Sequence, residues 1–93
     1  MTSSPFDDLP GGELIAQGVA DLGCGRETVA SLLVSIGAPR LRRAGIAVPP
    51  PLPAPEQRLY ELLSRTAPAA AHSRYTALVR RLVSFERAAE CVR

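Results

Sequence analysis

Apolar side chains recur every three or four residues along most of this chain, which is the spacing of a helix with one buried face. Runs that alternate apolar and polar residues, as strands do, are absent from the sequence. In the first half, the pattern predicts a helix over about 11–22 and a second over about 26–36. Gly37 stands where a C-terminal cap glycine belongs, and Pro39 follows it. We therefore expect a separate short helical turn over 39–45.

The second half begins with a proline-rich run, VPPPLPAP, at residues 48–55. Proline fixes φ and lacks an N–H donor, so we expect this run to form a polyproline II connector that braces the helices. Two helices should follow, one from Pro55 to about Thr66 and a longer one over about 69–92. The longer helix carries an apolar seam spaced by three and four residues, formed by Tyr75, Leu78, Leu82, Phe85, Ala89 and Val92.

These elements predict an all-α protein, a compact bundle of four to five short helices with a proline-rich polyproline II connector. The length of 93 residues suits one helical domain over 1–93, with a flexible N-terminus at 1–10 and a C-terminal helical pair at 56–93. No apolar run approaches the ~18 residues needed to cross a bilayer. The first residues also lack the basic and apolar regions of a signal peptide. We therefore expect a cytoplasmic protein with no membrane partner.

Charge is distributed unevenly, although the net charge of +2 is small. Residues 1–25 carry four acidic side chains and no basic one, whereas every basic residue further along is arginine. Arginine suits planar, bidentate contacts with phosphate or carboxylate groups. The cluster PRLRR at 39–43 can therefore bind phosphate or an acidic partner, or it can be a solvated cluster beside the acidic first helix.

The seam of the last helix either packs inside the bundle or pairs in part with a second copy or another protein. A chain this short leaves much of its surface exposed, and closed twofold pairs are the commonest assemblies. We interpret the protein as a small non-enzymatic interaction or regulatory module, an adaptor or accessory subunit that binds a protein partner. A homodimer is a further option. The candidate partner surface comprises Arg40, Arg42, Arg43, Arg80, Arg81, Arg87 and Phe85.

Residues 14–34 offer a second interpretation. Their stretch LGCGRETVASLL contains a helix end, a glycine turn and the start of a new helix. Gly23 matches a turn glycine that needs positive φ, and Cys24 fills the apolar position after it. Val29 and Leu32 match inward positions of the second helix. The arrangement resembles the helix-turn-helix family of DNA-binding proteins.

This resemblance implies an alternative function, a transcriptional regulator whose second helix enters the major groove of DNA. Two features depart from the family pattern. Val19 stands where a small residue is expected, and the second helix is apolar around most of its circumference. The candidate DNA contacts are Arg26, Thr28 and Ser31.

Residue types that carry catalysis or bind metals are sparse. Cys24 and Cys91 lie far apart without a C-x-x-C motif, and His72 is the only histidine, so the ligand spacing of a zinc site is missing. We expect two buried thiols, and a disulfide between them stays an open alternative. Ser73 beside His72 is not a catalytic pair, because neighbouring residues on a helix point apart. We therefore predict no enzymatic activity, no cofactor and no metal.

Overall fold

The computed structural model describes residues 8–92 and confirms an all-α fold. None of the described residues forms a strand. The Cα radius of gyration, 12.8 Å, is that of a compact chain of this length. The elements within this range are, in order, α1 (Gly12–Gly23), α2 (Val29–Arg43), α3 (Pro55–Thr66), a 3₁₀ turn (Pro68–Ala70) and α4 (Ala71–Val92).

The predicted flexible N-terminus falls mostly on residues 1–7, which lie outside the described residues. Residues 8–10 belonged to the same prediction, but they form a turn against the bundle. The carbonyl of Leu9 accepts a hydrogen bond from the amide of Gly12 at 2.9 Å, and the Leu9 side chain packs against the core. This turn leads directly into α1.

The second helix, α2, is central to the bundle and contacts each of the other three helices. Leu32, Leu33 and Val34 are fully buried, because neighbouring helices cover successive faces of α2. A helix buried on most of its circumference contributes mainly to the core. The rest of that core includes Ile15, Leu22, Leu41, Leu59, Leu63, Leu82, Phe85 and Ala89.

The predicted break after residue 36 is wrong, because α2 runs through Gly37 and Pro39 to Arg43. A Cβ at Gly37 would lie 2.8 Å from Glu86 Oε2 and 2.8 Å from Leu82 Cδ1. This glycine is therefore a close-packing position where α4 crosses α2, not a cap. Tertiary packing at this crossing outweighs the weak helix propensity of glycine and proline.

The end of α2 is formed by a Schellman motif centred on Gly45. The Gly45 amide donates to the carbonyl of Arg42 at 3.0 Å, and the Ile46 amide donates to the carbonyl of Leu41 at 3.1 Å. Gly45 has φ 98°, a left-handed conformation that glycine adopts without strain. The predicted separate turn at 39–45 is therefore the last part of α2, and the described chain has four α-helices.

Close contact between α1 and α2 occurs at Gly18. A Cβ at this position would lie 2.3 Å from the carbonyl oxygen of Ala30 and 2.4 Å from Val34 Cγ2. Glycine within a helix is unfavourable in isolation. Here it allows the two backbones to approach, because any side chain at Gly18 would push the helices apart.

The proline-rich run is held against α2 by hydrogen bonds. The Arg42 guanidinium donates to the carbonyls of Val48 and Pro49, with its Nη2 at 3.1 Å from each oxygen. The amide of Leu52 donates to Ser35 Oγ at 3.1 Å, and the Leu52 side chain packs against the core. The run therefore connects the end of α2 to the start of α3 as a brace.

The C-terminal helical pair begins at the predicted proline. α3 spans Pro55–Thr66 as expected, and α4 starts after the short turn Pro68–Ala70. The rings of Tyr60 and Tyr75 pack across the two helices, with centroids 5.8 Å apart. Among the described helices, none has both the length and the apolar character needed to span a bilayer.

Candidate functional site

The outer face of α4 exposes three of the predicted partner residues, Arg80, Arg81 and Arg87. Their guanidinium groups form no hydrogen bond or ion pair with residues 8–92. The prediction that Phe85 belongs to this surface is wrong, since Phe85 is only 1% exposed. It lies on the side of α4 that packs into the bundle, where a Cβ on Gly11 would approach its Cβ to 3.8 Å.

The three arginines at the end of α2 have different roles. Arg40 donates from Nη2 to Glu90 Oε1 at 2.8 Å, and its Nη1 lies 3.6 Å from Glu86 Oε1. Arg42 donates hydrogen bonds to backbone carbonyls of the proline-rich run. Arg43 is exposed and forms no ion pair with any described residue. The predicted cluster therefore leaves one of its guanidinium groups available to a partner.

A groove of about 290 Å³ lies between the last turns of α2 and the middle of α4. Its apolar floor includes the half-buried side chains of Ile36, Val79 and Val83. Arg43 of α2 and Glu86 of α4 also line the groove. The groove therefore combines partly exposed apolar side chains with charged groups.

Glu86 was not among the predicted site residues, and it is only 4% exposed although it carries a carboxylate. Burial raises the pKa of Glu86, and the nearby charge of Arg40 opposes that effect. The hydrogen bond from Arg40 instead holds the pKa of Glu90 below its ordinary value. The position of Glu86 in the sequence could have indicated its burial. It follows Phe85 and lies four residues after Leu82, so it falls within the apolar seam of α4.

We expect Glu86→Gln to raise the free energy of unfolding at neutral pH, because glutamine keeps the shape without a buried charge. The raised pKa means that folding favours protonated Glu86. Its stabilising contribution is complete below the ordinary Glu pKa of 4.5 and is lost as pH rises through the raised pKa of the folded state. In urea titrations, the advantage of the variant should grow from near zero at about pH 4 towards neutral pH.

Glu90→Gln provides the matched control for this titration. The lowered pKa of Glu90 means that its charged form stabilises the fold, so this variant should be less stable than the natural chain at neutral pH. Equal urea midpoints for Glu86→Gln and the natural chain at every pH would contradict the assigned role of burial.

In comparisons with known proteins, no family model, curated protein or solved structure matches this chain. Function is therefore inferred from the residues of the candidate sites themselves. The groove with the exposed arginines of α4 is the first candidate, and the turn between α1 and α2 is the second.

The turn between α1 and α2 differs from its predicted conformation. Gly23 is the last residue of α1 and lacks a positive φ, whereas Gly25 takes the left-handed conformation with φ 72°. Cys24 is exposed and does not fill an apolar position. The predictions of positive φ at Gly23 and of a buried Cys24 are therefore wrong.

Two of the three candidate DNA contacts, Thr28 and Ser31, cap the N-terminus of α2. The Thr28 hydroxyl accepts from the Ser31 amide at 3.1 Å and donates to Asp21 Oδ2 at 2.8 Å. Ser31 Oγ accepts from the Thr28 amide at 2.8 Å, which completes a capping box. Ser31 is 0% exposed and Thr28 is half-buried, so Arg26 is the exposed member of this set. The helix accordingly begins at Val29, three residues later than predicted.

Thr28→Ala is expected to lower the free energy of unfolding by about 1–2 kcal/mol. The substitution removes the N-cap and also the hydroxyl donor of the buried Asp21 carboxylate. Arg26→Ala should change the free energy of unfolding by less than about 0.5 kcal/mol, because Arg26 is exposed. Urea unfolding followed by circular dichroism measures both, and equal midpoints for the two variants would rule out the capping role.

The remaining chemistry-bearing residues are dispersed. Cys24 and Cys91 are both exposed free thiols, so the prediction of buried thiols is wrong and the alternative of a disulfide between them does not occur. His72 is exposed in the first turn of α4. Within residues 8–92, histidine, cysteine and acidic side chains form no group of three that could hold a metal ion.

Proposed function

We propose that this protein is a small non-enzymatic interaction module that binds a protein partner with the arginine-bearing face of α4. The observation that carries this proposal is the exposure of Arg80 and Arg87 next to the half-buried Val83, with no ion pair to another described residue. Arginine is enriched in protein–protein interfaces, where it combines charge with an apolar stem. A partner carboxylate could therefore pair with these groups while apolar atoms pack beside them.

Three other arginines support the proposal by contrast. Arg40 is engaged by the carboxylates of Glu86 and Glu90, and Arg42 is engaged by backbone carbonyls. On α3, Arg58 is engaged by Glu27. These three arginines have partners within the chain, whereas Arg80 and Arg87 have no ion-pair partner among residues 8–92 and lie beside Val83.

Affinity capture from the native host, with and without nuclease, tests the proposal. We expect a stoichiometric protein partner that remains bound after nuclease treatment. The double variant Arg80→Glu and Arg87→Glu should lose that partner, whereas Arg74→Glu, which also reverses an exposed charge on α4, should retain it. Absence of any stoichiometric protein partner would refute the interaction module.

The nuclease treatment also tests the alternative of a DNA-binding regulator. A DNA-binding protein should release its bound material on nuclease treatment, and its affinity for duplex DNA should fall steeply as salt is raised. Arg26→Ala should weaken that binding, because Arg26 is the exposed residue of the candidate set. This outcome would replace the protein-binding proposal.

A further inference from the structure

The groove between α2 and α4 is lined by Arg43 on its α2 side, and two arginines of α4 lie next to its apolar floor on the outer surface of that helix. Val83 lies three residues after Arg80 and four residues before Arg87, so both arginines neighbour it on the surface of α4. Arg43 lies on the opposite side, in the last turn of α2. The half-buried Val79 and Val83 therefore lie between positive charges from two helices.

The acidic groups near the groove form no ion pair with Arg43, Arg80 or Arg87. Glu86 is buried at the α2–α4 crossing beside Arg40, at 3.6 Å. Glu90 forms two hydrogen bonds with the same guanidinium, at 2.8 Å and 3.1 Å. Arg40 pairs with both carboxylates, whereas Arg43 and Arg87 act on them only as more distant charges. Arg43, Arg80 and Arg87 have no ion-pair partner among residues 8–92.

We propose that this groove binds an acidic amphipathic helix of the partner protein, an inference that rests on the proposed function. Apolar side chains on one face of such a helix would cover Val79 and Val83, as helices do in other hydrophobic grooves. Carboxylates flanking that face would pair with Arg43 on one side and with Arg80 on the other. The positive potential of the two sides would also accelerate the encounter with an acidic partner.

Charge argues against a second copy of this chain as the occupant. A twofold interface brings the same patch of both copies together. Such pairing would place Arg43, Arg80 and Arg87 of one copy close to the same arginines of the other. Like charges in contact disfavour that arrangement, so complementarity favours an acidic partner.

A synthetic amphipathic helix tests the proposal directly. The probe is a peptide of about 16 residues with leucines on one face and glutamates on both sides of that face. Its affinity for the full chain is measured by fluorescence anisotropy at about 0.05 M and about 0.5 M salt, because screening weakens charge pairs. A control peptide carries lysine in place of glutamate, and a second control carries serine in place of leucine.

Matched variants locate the binding site. Arg43→Glu and Arg80→Glu should each weaken binding by about tenfold at low salt, and Val83→Ser by about fivefold through lost apolar contact. Arg74 lies nine residues before Val83, which is two and a half helical turns, so it faces the opposite side of α4. Arg74→Glu should therefore change the affinity by less than about twofold.

Backbone amide resonances should shift on both sides of the groove when the acidic peptide binds. Equal binding of the lysine peptide, equal weakening by Arg74→Glu, or shifts confined to another surface would overturn the proposal. Self-association in place of peptide binding, or tighter binding of duplex DNA in the groove, would overturn it as well. A nuclease-resistant partner would still support the interaction module in those cases, because capture from the host tests that function independently of the groove.

Discussion

Gly18→Ala is expected to lower the free energy of unfolding by about 3 kcal/mol. In most helices the same change is stabilising, since alanine is favoured over glycine by about 1 kcal/mol. Here the new Cβ would lie 2.3 Å from the carbonyl oxygen of Ala30, a backbone atom that cannot rotate away. α1 and α2 would have to separate, and packing around Val34 would be lost. Urea unfolding monitored by circular dichroism measures the change.

Gly37→Ala is the matched comparison, because it also lies in a helix at a close crossing. Its nearest atoms are the ends of two side chains, Leu82 Cδ1 and Glu86 Oε2, at 2.8 Å each. These side chains can shift, so we expect a loss of about 1 kcal/mol. A stability gain for Gly18→Ala, of the size usual for a helix interior, would contradict the close approach of α1 and α2.

Phe85→Ala is expected to lower the free energy of unfolding by about 4 kcal/mol. Phe85 is 1% exposed and is among the largest fully buried side chains described. Its removal would leave a cavity at the centre of the packed side of α4. A chain of this length typically has a total stability of about 5–14 kcal/mol, so the variant should lose much of its folded population on mild heating. Thermal unfolding by calorimetry measures the effect.

Arg81→Ala is the control for Phe85→Ala, since it changes an exposed residue on the same helix. We expect a change in the free energy of unfolding within about 0.5 kcal/mol. If Phe85 were a surface residue that contacts a partner, Phe85→Ala would unfold at the same temperature as the natural chain and lose only binding. That result would support the prediction that Phe85 belongs to the partner-binding surface.

Local signals in the sequence predicted the bounds of α1, α3 and α4 closely, although both ends of α2 were predicted wrongly. The start of α3 at Pro55 follows from the preference of proline for the first helical position. Its end at Thr66 follows from Pro68, which cannot continue the helix. These features depend on neighbours in the sequence, and the sequence displays them directly.

The candidate site was predicted only in part. Arg80, Arg81 and Arg87 are exposed as expected, because charged groups avoid burial without partners. Phe85 was assigned to the surface, although it belongs to the core. Glu86 was missed, because an acidic residue within an apolar seam is buried only when another element covers it and supplies a counter-charge.

The sequence by itself determined the all-α class, the approximate positions of the helices, and the excess of arginine in the last two thirds of the chain. These follow from periodicity, from glycine and proline, and from composition. Only the tertiary structure decided that α2 continues through Gly37 and Pro39, and that Arg40 is neutralised while Arg43 stays available. These outcomes depend on contacts with α4, whose residues lie about fifty positions from α2 in the sequence. Such contacts form only when the chain has folded, so local sequence patterns do not predict them.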